Sequence, residues 1–121
     1  MLESSIGGFD PPLDLVHLAR QCLGDHELEA ELLQLFRQQA PVLMARLSGS
    51  PHLPLDAKAK IAHTLRGSAL AVGAGRVADA ARRIEELASA GGDQGSAEAH
   101  AIGALLCVVR EAVTEIARLR G

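Results

Sequence analysis

The side chains in this sequence best suited to nucleophilic or metal chemistry are five histidines, His17, His26, His52, His63 and His100, and two cysteines, Cys22 and Cys107. No pair of histidines has a ligand spacing such as His-x-x-x-His, and the cysteines belong to no ligand cluster, so no metal site is expected. There is no nucleophile elbow for Ser-His-acid catalysis. Gly73-Ala74-Gly75 is too short for a phosphate loop and lacks its lysine and hydroxyl. One histidine stands apart. Around Ala62-His63-Thr64-Leu65-Arg66-Gly67-Ser68-Ala69, the residues Ile61, Leu65, Ala69 and Val72 recur at helical spacing and define a buried face. At about 100° per residue, His63 lies roughly 200° from Ile61, so its ring points to solvent.

The neighbours of His63 suit one kind of chemistry. Lys60 and Arg66 bracket the ring at about 60° to either side, where cationic side chains can offset the charge of a phosphoryl group on a ring nitrogen. Gly67 costs a helix interior about 0.5–1 kcal/mol relative to alanine, and it clears the side chain that would stand between His63 and an approaching surface. Leu70 continues the same face as an apolar edge. Near neutral pH a large fraction of imidazole is unprotonated and nucleophilic, which suits reversible phosphorylation. The plain alternative is an exposed helical histidine without a chemical role, and a lone exposed leucine needs no explanation.

The elements that must position this group read as helices. The chain has 121 residues, enough for one domain with one core, and 48% of them are hydrophobic while only 2% are aromatic. A composition rich in Ala, Leu, Glu and Arg, with few strand-favouring residues, predicts an all-helical protein. The net charge of −3 offers no electrostatic case for nucleic acid, and Phe9 and Phe36 provide few stacking platforms. No apolar run reaches the roughly 18 residues of a membrane span, and the N-terminus lacks a basic region followed by an apolar stretch. A cytoplasmic, soluble protein is expected. Both cysteines fall in apolar helical patterns and read as reduced core residues.

In chain order, residues 1–12 read as a flexible leader and residues 13–121 as a single domain. Asp14 caps a short helix through about Leu23, with Leu15, Leu18 and Cys22 on one face. Gly24 ends it and Asp25 caps the next. From Leu28 to Leu47 the predicted stripe is Leu28, Leu32, Leu35 with Phe36, Leu43 and Leu47; Pro41 should kink this helix without dividing it. The run from Ser48 to Pro54 is a turn, and the helix bearing His63 spans about Asp56 to Val72. Beyond Gly73, a helix with Val77, Ala80, Ala81, Ile84 and Leu87 inward carries Arg82, Arg83, Glu85 and Glu86 on its exposed side. A glycine-rich turn follows. Ser96 then caps a long helix with Ile102, Leu105, Leu106, Val109, Val113, Ile116 and Leu119 inward. Four substantial helices with one apolar face each predict an antiparallel up-and-down four-helix bundle, with the short N-terminal helix as a cap across one end. Alanines in and after the His63 helix predict close helix approach and a rigid platform beneath the ring.

With these residues in place, the chain resembles a known family. His63-Thr64-Leu65-Arg66-Gly67-Ser68 followed by Val72-Gly73-Ala74 is similar to the phospho-accepting helix of the histidine-containing phosphotransfer (HPt) domains of bacterial phosphorelays. The resemblance extends upstream to Gly24-Asp25, Phe36 and Pro41, and downstream to Ile84-Glu85. It implies phosphorylation of His63 on Nε2, with Arg66 standing where the family more often has lysine. It implies that Gly67 is the small position over which a receiver's loops close, and that Ser68 is a small polar residue helping to orient helix or ring. Leu70 departs from a position that is frequently small. Leu13, Leu15 and Leu18 are expected to contribute to the docking surface.

The resemblance further implies a shuttle that takes a phosphoryl group from a receiver-domain aspartate and passes it to another. Partners would be response-regulator receiver domains, including those of hybrid kinases. Mg²⁺ would be carried by the receiver, with no cofactor on this chain and no kinase or ATPase activity of its own. A monomer is expected. The main rival is a non-catalytic helical adaptor using the same face. A histidine-kinase dimerisation fragment would usually carry an acidic residue where Thr64 stands, and an unrelated structural bundle is the remaining alternative.

Overall fold

The computed structural model describes residues 11–49, 52–91 and 96–120, and among these every regular element is helical. The expected leader lies almost wholly outside the described residues. Five helices follow one another: α1 (Leu15–Gln21), α2 (His26–Ser48), α3 (Leu55–Val72), α4 (Gly75–Ser89) and α5 (Ser96–Arg120). No described helix is long and apolar enough to cross a membrane.

The helix boundaries follow local chemistry. Asp14 and Asp25 take extended backbone conformations, and their side chains accept the amides of His17 and Leu28, satisfying otherwise orphaned donors at the starts of α1 and α2. Helix α1 stops at Gln21 because Leu23 and Gly24 both adopt positive φ, 53° and 80°. Helix α2 runs through Pro41 as one element, as expected, with the proline on its exposed side. Gly73 ends α3 in the left-handed region, φ 78°. A Cβ there would stand 2.5 Å from the carbonyl oxygen of Asp14, so only glycine admits this crossing.

Helices α2, α3, α4 and α5 touch in cyclic order, with α2 closing the ring onto α5, and α1 packs against α3 and α2. The core runs along this ring. Phe36, Leu47, Leu65, Ile84, Leu105 and Ile116 are fully enclosed, each contributing about 1.5–3 kcal/mol of apolar burial. The most extensive helix contact joins α3 to α4. Its seam is lined with alanine: Ala62, Ala69, Ala74, Ala78 and Ala81 are all buried. Small side chains let two helices approach closely. Lys58 in the first turn of α3 is buried and pairs with Glu98 in the first turn of α5. Arg76, at the start of α4, meets Glu111 of α5 at 2.9 Å as a charge contact rather than an aligned hydrogen bond.

Several expected faces are rotated. In α2, Phe36 and Leu47 are buried as expected and Leu33, Ala40 and Met44 join them, while Leu28 and Leu35 are exposed and Leu32 and Leu43 half-buried. This leucine-rich helix offers two overlapping apolar stripes, and the one containing small Ala40 faces inward. In and just after α1, Leu18 and Cys22 are buried as expected, but Leu15 is 46% exposed and Leu13, before the cap, takes the inner place. Ala78 rather than Ala80 lies fully inside α4. Leu119 is exposed, and so is Cys107, which is therefore no core residue.

Candidate functional site

His63 lies in the middle of α3 with its side chain 70% exposed, on the side away from Ile61, Leu65 and Ala69. The orientation expected from helical spacing holds. What the ring touches comes from α4: His63 Nδ1 is 3.2 Å from Glu85 Oε1. Arg66, one turn after His63, donates its Nε–H to the other oxygen of the same carboxylate at 2.6 Å. The guanidinium Nη2 also comes within 3.3 Å of His63 Nδ1.

The nearer of these contacts, to Glu85, selects one tautomer. A carboxylate only accepts and a guanidinium only donates, so Nδ1 can serve Glu85 only by carrying the proton. A nitrogen that donates has no lone pair for Arg66, which makes the Nη2 approach proximity rather than a hydrogen bond. With the proton on Nδ1, the lone pair sits on Nε2, which has no hydrogen-bond partner among the described residues. The ring is thereby held by one nitrogen and presents the other as a nucleophile.

Helical spacing places Glu85 on the exposed side of α4, yet its side chain is only 21% exposed and turned toward α3. The alanine seam brings the α4 backbone near enough for a carboxylate on its flank to reach the α3 surface. Arg82, Arg83 and Glu86 do face solvent as expected. The sequence signal for Glu85 was an acid on the polar flank of the following helix; its register against His63 is set by packing.

The other expected residues distribute unevenly. Lys60 is exposed one turn before His63. Gly67 is exposed, and a Cβ added there would meet nothing within 4 Å, so no contact inside the chain requires glycine. Leu70 is half-exposed on the same face; its carbonyl accepts from His17 Nε2–H at 2.9 Å, and Asp14 N–H donates to the Gly73 carbonyl at 2.8 Å. These two bonds fasten α1 beside the end of α3 and keep Leu15 at the surface. Leu18 is 1% exposed and Leu13 is buried, so both support α1 from the core and have no surface to offer a partner. Ser68 is half-buried and turned toward α2, lining a small hollow of about 110 Å³ with Leu35, Gln39 and Val72. Its hydroxyl does not orient the His63 ring, because five residues along a helix place it about 140° away.

Elsewhere, no three His, Cys, Asp or Glu side chains among the described residues come together as a metal site. A family model, the Hpt domain, matches residues 31–120. Searches of curated proteins and of solved structures return no match.

Proposed function

Because the chain belongs to the Hpt domain family, through a match over most of its length, we propose that His63 accepts a phosphoryl group from a receiver-domain aspartate and passes it to another. Domains of this family carry phosphoryl groups on histidine in phosphorelays and work with response-regulator receiver domains. The observation that carries the reading is the His63 ring itself, exposed, held through Nδ1 by Glu85 and leaving Nε2 open.

In acceptance, the Nε2 lone pair attacks the phosphorus of an aspartyl phosphate in line. The P–O bond breaks and the aspartate carboxylate departs with the electron pair. Arg66 and Lys60 supply positive charge near the transferring group, while Mg²⁺ belongs to the receiver, whose carboxylates bind it. Gly67 leaves room for the receiver's loops, and Leu70 and Leu15 offer apolar contact at the rim. The closed ring of contacts, and the Lys58–Glu98 pair joining the first turns of α3 and α5, support an antiparallel up-and-down four-helix bundle with α1 as a cap. The domain acts as a monomer in the cytoplasm, with receivers of hybrid kinases among its donors.

Transfer of radiolabel from a purified phospho-receiver tests this directly. Wild type takes up acid-labile, base-stable label and His63→Gln takes up none. Equal labelling of the two proteins overturns the assignment.

A further inference from the structure

The group that holds His63 Nδ1 carries a full charge, and this bears on the phosphorylated ring. Phosphorylation of Nε2 uses the ring's lone pair. If Nδ1 keeps its proton, the product is a positively charged phospho-imidazolium; if that proton is lost, the ring is neutral. The two forms differ in reactivity. From the protonated form, the P–N bond breaks with its electron pair returning to Nε2, and neutral imidazole leaves. From the deprotonated form the leaving group is imidazolate, a much stronger base and a poorer leaving group.

In an unpartnered imidazole, protonation changes within the range around neutral pH. Here Nδ1 faces Glu85 Oε1 at 3.2 Å, while Arg66 donates to the other oxygen and brings its Nη2 within 3.3 Å of the same nitrogen, a positive charge that the nearer carboxylate has to outweigh. Lys60 lies one turn earlier on α3. On α4, Arg82 is drawn toward Asp79 and Glu86, at 3.6 and 3.9 Å. His63 has no further charged partner among the described residues.

We infer that Glu85 keeps the Nδ1 proton on phospho-His63, so that the phosphoryl group is both accepted and handed on without a proton entering or leaving the ring. This rests on His63 as the phospho-acceptor. On acceptance, the Nε2–P bond forms, the P–O bond to aspartate breaks, and the ring becomes an imidazolium whose Nδ1–H stays on Glu85. On donation, an incoming aspartate oxygen takes the phosphorus, the electron pair returns to Nε2, and the same proton remains in place. Glu85 is a positioning residue for charge: it acts through the ring and does not touch the phosphoryl group.

The test needs no receiver. The full chain is phosphorylated chemically with phosphoramidate, the reagent is removed, and the decay of the phosphohistidine signal is followed by ³¹P NMR from acid to alkaline pH. Decay slows as pH rises in every variant, because the Nδ1 proton is lost. In Glu85→Gln the slowing sets in at lower pH, so that on the slowing limb wild type decays several-fold faster than the variant. Glutamine preserves shape and can still accept from Nδ1–H through its carbonyl, so a purely structural role moves neither quantity. Glu86→Gln, on the exposed side of α4, leaves the profile unchanged. Superimposable profiles for wild type and Glu85→Gln overturn the inference. Equal phosphoramidate labelling of His63→Gln overturns both this inference and the assignment of His63. A shifted profile without transfer from any receiver supports the role of Glu85 and counts against the relay function.

Discussion

Replacing Gly67 separates what the free domain needs from what a docked complex needs. A Cβ at this position meets nothing within 4 Å, and Gly67 lies inside α3 with ordinary helical backbone. Alanine therefore brings no clash and recovers helix propensity worth about 1 kcal/mol. For a domain of this size that raises Tm by roughly 4 °C. Leucine has nearly the same propensity, so Gly67→Leu also melts no lower than wild type. Its side chain, however, fills the space beside His63 that an incoming receiver has to enter. Reacting groups misplaced by about 1 Å can lose about 100-fold in rate, so transfer from a phospho-receiver falls by at least that much in Gly67→Leu. Calorimetry of both variants and single-turnover transfer kinetics on the same preparations give the two readings. Unchanged kinetics in Gly67→Leu refute the use of this face for docking. A lowered Tm refutes the claim that the space above Gly67 is open.

Two further outcomes follow from the fold. Lys58 is buried against Glu98, so Lys58→Met removes the cation that offsets this partly buried carboxylate and costs on the order of 2 kcal/mol in chemical denaturation. The two thiols react at very different rates with an aromatic disulfide reagent: Cys107 is exposed and reacts first, while Cys22 is buried. Burial, with Glu29 and Asp25 adding negative charge, pushes the Cys22 thiol up, so its labelling requires higher pH or unfolding.

Much of the site was legible because its signals are local. Which side of α3 His63 occupies depends only on its spacing from Ile61, Leu65, Ala69 and Val72, and a helix has one geometry. Asp14, Asp25 and Gly73 likewise act on backbone within one turn of themselves. Glu85 was in view as a polar residue of α4, but its role depends on the axial register of two helices, which alanine packing across the seam decides. The α2 face departs in part for the same kind of reason: Leu28, Leu32 and Leu35 form as good an apolar stripe as Leu33, Ala40 and Met44, and only the neighbours that cover a face distinguish them.

From the amino-acid sequence alone came the helical class, the helix ends and an outward histidine flanked by cations with an open glycine beside it. These rest on interactions between residues a few positions apart. The tertiary structure decided which group His63 Nδ1 meets, since that is a carboxylate 22 residues away across the α3–α4 seam. It also decided which leucines of the first two helices remain at the surface: Leu15 stays out and Leu18 goes in because α1 is tied to the end of α3 through His17 and Asp14. Helical periodicity determines the faces of each helix, and packing between helices determines what those faces meet.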